Sequence, residues 1–162
     1  MTDVAVHIKG AEELKMRIRM MRESIDRLTR DAAKDIAEHL ALEIKGGAPK
    51  RTGNLAAAVD MEAGARNVIG VANSFKFEVS VDTNRAPYAL YVEKGTGIFG
   101  PTRSPIRSMT GNVLVFELNG KTVFAHSVKG QRGRHFVRDA VLRTKELYVP
   151  VRVEILREEL RR

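Results

Sequence analysis

The chain contains no cysteine among its 162 residues, and its longest apolar runs are only a few residues long. The absence of cysteine excludes disulfides, thiolate nucleophiles and cysteine-ligated zinc sites, and it is compatible with a reducing cytoplasm. The short apolar runs exclude a transmembrane helix, so we expect no membrane partner. The N-terminal stretch becomes charged before an apolar signal region could form, and we therefore expect no export.

The histidines also lack a metal-binding arrangement. His7, His39, His126 and His135 do not occur in the H-x-x-x-H or H-E-x-x-H spacing that places two imidazoles on one helix face. His126 and His135 lie among basic residues and could serve as acid and base in a metal-free ribonuclease, but histidines in a basic loop are more often ordinary surface residues. We therefore expect no catalytic site, no metal site and no cofactor.

A formal G-x-G-x-x-G match occurs at Gly95, Gly97 and Gly100. In a dinucleotide site a buried parallel strand leads into the first glycine, and a helix begins at the third so that its amides can hold the pyrophosphate. Here the preceding YALYVEK has a helical pattern, and Pro-Thr-Arg-Ser-Pro follows in place of a helix. We interpret Gly95 as the end of a short helix and the other glycines as bending points of a long loop.

The charge of the chain is unevenly distributed. The net charge is +8, and residues 98–138 hold seven basic residues against the single acid Glu117. A concentrated basic surface attracts polyanions or an acidic protein face, although a solvated surface is the simpler alternative. The candidates for contact with a polyanion or a partner are Arg103, Arg107, Lys121, Lys129, Arg132, Arg134 and Arg138.

Apolar residues at steps of three and four predict one long helix over residues 11–45. They are Leu14, Ile18, Met21, Ile25, Leu28, Ala32, Ile36, Leu40 and Ile44. Gly46 and Gly47 should end this helix. A helix of this length spans roughly 50 Å, which exceeds what a compact domain of this size needs. Part of the stripe is therefore expected to pack on another subunit, or else the helix bends around its own core.

Strand and short-helix signals fill the middle of the chain. The predicted elements are short helices at residues 54–59 and 87–94, strands at 67–72 and 75–81, and a hairpin of strands 113–118 and 121–128 joined by Asn-Gly. Residues 95–112 and 129–134 are predicted to be flexible loops. Residues 135–162 are helical in pattern, with a kink or a break at Pro150. This order predicts a single α+β domain over residues 1–162, in which two long helices pack on a small antiparallel sheet.

Three segments, taken in order, resemble one protein family. They are GGAPKRTGNLAAAV at residues 46–59, APYALYVEKGTG at residues 86–97 and GQRGRHFVRDAVL at residues 130–142. The pattern is a proline and a basic residue before Thr-Gly-x-Leu, then Tyr-Ala-x-x-Val-Glu-x-Gly-Thr, then a phenylalanine segment that opens the last helix. This order is similar to that of the neck and tail-completion proteins of long-tailed bacteriophages. The hairpin matches that family in kind rather than in residues, and the resemblance does not extend to the basic character of the loops.

The resemblance implies a structural virion protein that is not an enzyme. Such a protein assembles in the host bacterial cytoplasm into a ring, usually of sixfold symmetry, where the DNA-filled head joins the tail. The implied partners are further copies of itself, the head-completion and tail-terminator proteins, and DNA passing through the lumen. The family-motif and interface candidates are Arg51, Thr52, Gly53, Leu55, Tyr88, Tyr91, Glu93, Gly95, Thr96 and Phe136.

Several of these candidates have roles that follow from their own chemistry. Thr52 can cap the short helix that follows it through its hydroxyl group. Arg51 and Glu93 are candidates for a charge-assisted pair, within the chain or across subunits. Tyr88 and Tyr91 carry apolar rings with a polar tip, which suits either a half-buried junction between subunits or the edge of a core.

The alternative function is a basic nucleic-acid-binding module that uses residues 121–138. This segment is rich in lysine and arginine but lacks interleaved aromatic residues and any groove-reading motif. Duplex-DNA affinity that falls steeply with salt would favour this alternative.

Overall fold

The computed structural model describes residues 10–68, 71–118 and 120–161, with residues 62–68 and 71–76 described by their backbone alone. His7 and Asn119 of the predicted hairpin turn lie outside these residues. So do residues 1–9, on which the expectation of no export depends. The helices are α1 (Ala11–Gly47), α2 (Asn54–Ala57), α3 (Ala89–Lys94), α4 (Phe136–Arg143) and α5 (Val149–Arg161). The strands are β1 (Val59–Val68), β2 (Val71–Val81), β3 (Ile106–Arg107), β4 (Leu114–Leu118), β5 (Lys121–Ala125) and β6 (Ser127–Val128). The predicted α+β class is confirmed.

The predicted long helix is confirmed, and its two halves have different surroundings. α1 is 37 residues long. Its C-terminal half packs on β1, β2, α4 and α5. The buried positions are Ala32, Ala37, Ala41 and Ile44. Further towards the N-terminus the same stripe is between 45% and 64% exposed, at Leu14, Ile18, Met21 and Ile25.

A second long helix lies antiparallel on the C-terminal half of α1. It consists of α4, a π-helical turn (Thr144–Tyr148) and α5 in direct succession. Arg143 Nε lies 3.0 Å from a carboxylate oxygen of Glu43, and Arg152 Nε lies 2.8 Å from Asp35 Oδ2. The two helices run in opposite directions with the same rise per residue. Counting on from the Arg152–Asp35 pair therefore places the end of α5, Arg161, opposite about residue 26 of α1. Residues 11–25 therefore project beyond α5, and we call them the projecting arm.

Of the two predicted effects of Pro150, a kink or a break, the break does not occur, because the helix continues through this residue. Proline lacks an amide proton, and its ring crowds the carbonyl group four residues earlier, here that of Glu146. Glu146 belongs to the π-helical turn, which departs from the regular α-helical register at that point. The irregularity caused by proline is therefore a π-helical turn within a helix that continues to Arg161.

The strands form three separate antiparallel pairs, β1 with β2, β3 with β6 and β4 with β5. The longest pair runs from Val59 opposite Val81 to Val68 opposite Val71. The predicted strands at residues 67–72 and 75–81 were therefore misplaced, because β1 begins at Val59 and β2 already begins at Val71. The first strand is rich in alanine, glycine and polar residues, which have weak strand propensity, and its pairing with β2 outweighs that propensity.

The predicted hairpin is confirmed, but its second strand ends at Ala125 rather than at residue 128, because Ser127–Val128 pair with β3. Leu118 pairs with Lys121 across the hairpin, and Gly120 has a φ of 75°. The segment 95–112 contains a 3₁₀ turn (Gly97–Phe99) and β3, so it is not wholly irregular, and its flexibility stays a prediction. α3 begins at Ala89, two residues after the predicted first position, and α2 ends two residues early.

The core lies where the C-terminal half of α1 meets α2, α3, α4 and the start of β1. Its largest members include Ile44, Leu55 and Phe136. Alanines fill the rest of the cluster, and their small side chains let the elements approach closely. This core fixes the relative positions of the segments that carry the resemblance.

Candidate functional site

The three segments that carry the resemblance meet in the same buried cluster. Leu55 of the first segment, Ala89 of the second and Phe136 of the third all belong to it. Leu55 is 2% exposed and Phe136 is 3% exposed. These two interface candidates are therefore core residues, and their side chains contribute to packing rather than to a surface for a partner.

The second and third segments cross each other backbone against backbone. The amide of Thr96 donates to the carbonyl oxygen of Gln131 at 2.9 Å, and the amide of Gln131 donates to Thr96 Oγ1 at 3.0 Å. A Cβ atom on Gly97 would overlap the Lys129 carbonyl group, and one on Gly130 would overlap the Thr96 carbonyl group. The close approach accounts for the glycine spacing. Gly97 also has a φ of 63°, a conformation that favours glycine, so the interpretation of Gly97 as a bending point is confirmed.

Gly95 has the role that the sequence predicts, and the third segment is held where a flexible loop was expected. Gly95 ends α3 with a φ of 81°. Its backbone also forms a bridge with Arg132, and the amide of Arg134 donates to the carbonyl oxygen of Val92 at 2.8 Å. Residues 129–134 thus hydrogen-bond to the end of α3, and the predicted flexibility of this segment stays a prediction.

The carboxylate of Glu93 caps the N-terminus of α4. Glu93 Oε2 accepts a hydrogen bond from the amide of Val137 at 2.9 Å, and Oε1 accepts one from the amide of Arg138 at 3.1 Å. The first amides of a helix have no acceptor within the helix, and a negative charge there is also favoured by the helix dipole. Because both oxygens serve α4, the pair with Arg51 that the sequence suggested is not formed among the described residues.

The expected cap of α2 by Thr52 was also wrong. The residue that precedes α2 is Gly53, with a φ of 76°, and no side chain caps this helix. Glycine adopts this left-handed conformation without the steric cost of a Cβ atom. Thr52 lies in the exposed turn before it.

An open cleft of about 670 Å³ lies where the three segments meet, and we call it the motif cleft. Its lining residues are Pro49, Arg51, Thr52, Asn54 and Leu55 from the first segment and its border, Tyr88 and Val92 from the second, and Gln131, Arg132 and Arg134 from the third. Three of them carry guanidinium groups, and none of the described lining residues is acidic. A concave surface lined by one sign of charge concentrates positive potential.

The aromatic residues around the cleft are on the surface. Tyr88 is 39% exposed and lines the motif cleft. Tyr91 is 58% exposed and lines a neighbouring groove together with Ile106. The choice between a junction and a core edge for these two tyrosines stays a prediction. The guanidinium carbon of Arg132 lies 5.3 Å from the centre of the Phe99 ring, a cation–π contact that restrains this arginine.

The seven basic candidates are not brought together in one place. Arg132 and Arg134 line the motif cleft, whereas Arg138 pairs with Asp139 at 3.0 Å. The remaining candidates are exposed on loops and short strands and are not part of the described lining: Arg103, Arg107, Lys121 and Lys129. Arg51 joins the cleft from outside the basic stretch. The count of basic residues over positions 98–138 did not include Arg51, but the first motif segment did.

Two apolar surfaces are exposed outside the cleft. One is the projecting arm, in which residues 12–25 are all exposed. The other is the β4–β5 hairpin, where Val115 and Phe124 are opposite each other and are 60% and 69% exposed. Directly opposed residues share one face of a strand pair. Contiguous exposed apolar surfaces of this kind mark sites of interaction with other molecules.

The described histidines do not assemble into a catalytic pair. His135 is the residue before α4, His126 lies between β5 and β6, and no hydrogen bond joins them among the described residues. His39 stacks on Tyr148, with ring centres 3.8 Å apart. The described part of the chain contains no group of three or more potential metal ligands. It also contains no helix that is both long and apolar enough to span a bilayer.

The chain was compared with protein-family models, with curated proteins and with solved structures, and none of the three comparisons finds a match. An assignment of function therefore depends on the geometry of the cleft and the exposed surfaces, and on the resemblance of the three segments.

Proposed function

We propose that this protein is a structural component of a bacteriophage virion, a ring-forming subunit at the junction between head and tail that performs no catalysis. The observation that carries the proposal is the projecting arm, an amphipathic helix with its apolar stripe in water. The order of the three motif segments supplies the resemblance to neck and tail-completion proteins.

The apolar residues of the arm have the spacing of a helix–helix contact. Leu14, Ile18, Met21 and Ile25 follow steps of four, three and four residues, as the seam residues of a coiled coil do. Burial of one such side chain contributes about 1.5–3 kcal/mol relative to its exposure. Exposure of four of them therefore leaves several kcal/mol available to any chain that covers the arm.

Two further features support a ring rather than a symmetric pair. The arm and the hairpin face of Val115 and Phe124 belong to different elements, so the subunit offers two dissimilar apolar surfaces. Contact of one surface with a different surface of the next copy is heterologous, and it generates a closed ring when the rotation closes. The exposed side chains of Arg103, Arg107 and Lys121 are then available to DNA in the lumen or to acidic neighbours.

Electron microscopy of phage that lacks this gene tests the proposal. We expect lysates that contain DNA-filled heads and finished tails which are not joined, and joined particles when the wild-type protein is supplied from a plasmid. Normally joined virions in the absence of the protein would contradict the proposal. Empty, unpackaged heads would also contradict it, because they would move the role to DNA packaging.

A further inference from the structure

We propose that the motif cleft is the docking site for an acidic peptide segment of a neighbouring protein. Carboxylates of this segment bind Arg51, Arg132 and Arg134, and an apolar side chain of the same segment packs on Val92 and the ring of Tyr88. The inference rests on the proposed function, since it specifies the chemistry of a partner at the junction.

The charge of the cleft calls for a carboxylate-rich ligand. The three guanidinium groups line one cleft, and within the described chain none of them forms an ion pair with a carboxylate. Glu93, the nearby acid of the second segment, accepts hydrogen bonds from two amides of α4 with its two carboxylate oxygens. The planar guanidinium group matches the two oxygens of a carboxylate and can form two parallel hydrogen bonds with it.

The apolar part of the lining favours a peptide over a nucleic acid. Val92 and the ring of Tyr88 line the cleft, above the buried Leu55. A peptide segment can present carboxylates and aliphatic side chains together, whereas a sugar–phosphate backbone presents charge without an aliphatic side chain. A volume of about 670 Å³ lies in the range of concave ligand sites, and a convex DNA duplex does not enter such a cleft.

The cleft is also preorganised. Arg132 stacks over Phe99, and the backbone of Arg134 is hydrogen-bonded to the end of α3. Binding therefore requires little additional ordering of the segment that carries these two arginines, and a restrained site loses less entropy when it binds.

Fluorescence anisotropy with the full-length protein tests the inference. The probe is a labelled peptide of the sequence Asp-Glu-Leu-Glu-Asp-Leu-Glu-Asp. We expect saturable binding, and we expect the triple variant Arg51→Gln/Arg132→Gln/Arg134→Gln to weaken it by about ten-fold or more. The matched control Arg107→Gln/Lys121→Gln/Lys145→Gln removes the same charge from exposed positions outside the described lining and should change the affinity by less than about two-fold. Thermal melting checks that both triple variants are folded.

Three outcomes would overturn the inference. The first is an absence of binding, and the second is an equal loss of affinity in the two triple variants, which would indicate general charge attraction. The third is tighter binding of a single-stranded oligonucleotide of equal charge that depends on the same three arginines. A peptide in which serine replaces both leucines should bind about ten-fold more weakly, because the apolar contact is lost.

Phage assembly separates failure of this inference from failure of the proposed function. If the cleft triple variant restores joined virions in phage that lacks the gene, the docking site is wrong while the structural role stands. If phage without the gene assembles normally and the peptide still binds through the three arginines, the docking site stands and the junction role is wrong.

Discussion

The Glu93 side chain accepts a hydrogen bond from the amide of Val137 at 2.9 Å, across 44 positions of the sequence. This contact joins the second motif segment to the third, because the acid that ends α3 provides the cap of α4. The acid of one segment and the phenylalanine helix of the other are thus parts of one structural unit. The contribution of the Glu93 cap to the free energy of unfolding can be measured by substitution.

Removal of this cap should destabilise the fold. We expect Glu93→Ala to lower the free energy of unfolding by about 1–3 kcal/mol, since two amides lose a charged acceptor. Glu93→Gln should cost less because one oxygen remains, and Glu93→Lys should cost more because it brings positive charge to the positive end of α4. Urea denaturation measures these differences. Glu117→Gln, at an exposed position of β4, is the control, and an equal loss there would contradict the capping role.

Substitution of Gly97 should be far more damaging than its backbone conformation alone explains. Gly97 and Gly111 both have left-handed φ values, 63° and 74°, but a Cβ atom meets the Lys129 carbonyl group at Gly97 and open space at Gly111. We expect Gly111→Ala to cost about 1 kcal/mol, and Gly97→Ala to cost about 3 kcal/mol or more. Denaturant titration of both variants compares them, and equal costs would show that the two segments do not cross closely.

Loss of the Asp35 carboxylate should loosen α5 from α1. Arg152 is 8% exposed and donates to Asp35 at 2.8 Å and to Glu159 at 3.4 Å. We expect Asp35→Ala to destabilise the protein by about 1–2 kcal/mol, because Arg152 keeps only its longer contact. Glu12→Ala, which removes an exposed pair with Lys15, should have no measurable effect on chemical denaturation.

This contribution should not vary through neutral pH. Burial acts to lower the pKa of Arg152, but the hydrogen bonds and charges of Asp35 and Glu159 outweigh it, and the pKa is raised above its ordinary value. A base with a raised pKa stabilises the fold fully below its unfolded pKa and loses that effect only as the pH rises through the folded pKa. The cost of Arg152→Met should therefore be the same at pH 6 and pH 9 in denaturant titrations. A change between these two values would show that another group is coupled to Arg152.

Amide exchange in the isolated protein should distinguish two kinds of position within the segments 95–112 and 129–134, which the sequence predicts to be flexible loops. Some of their amides are hydrogen-bonded, and others lie in an exposed turn. The amides of Thr96, Ile98 and Arg134 donate to backbone carbonyl groups, so they should exchange slowly. The amides of Met109 and Asn112 lie in an exposed turn and should exchange rapidly. Hydrogen-exchange mass spectrometry distinguishes them, and rapid exchange at all five positions would contradict the anchoring of residues 129–134.

The sequence predicts local features of this protein better than its long-range contacts. The stripe of α1 and the Asn-Gly hairpin follow from periodicity and turn chemistry, which depend on neighbouring residues. The first strand was placed too late because its pairing with β2, not its own propensity, makes residues 59–66 extended. Thr52 was expected to be a cap, and Glu93 was expected to pair with Arg51. The first expectation failed because Gly53 is the residue before α2. Within the chain Glu93 binds the amides of α4, 44 residues away, rather than Arg51, and a pair between the two across subunits stays a prediction.

The arm carries the last prediction, which concerns self-assembly. The double variant Ile18→Lys/Met21→Lys places charge in the centre of an exposed stripe that contacts no core, so we expect the free energy of unfolding to change by no more than about 0.5 kcal/mol. Association between copies should be lost, because burying an unpaired lysine in a helix seam is costly. Sedimentation velocity at increasing concentration measures this.

The control is Leu42→Lys, at an exposed apolar residue on the part of α1 that lies against the rest of the fold. We expect this variant to associate as the wild-type protein does, because Leu42 lies outside the arm. Equal association of the arm variant and the control would show that the arm is not the contact between copies. Loss of association in both would mean that any added charge on α1 is enough to prevent it, which would equally remove the arm from its proposed role.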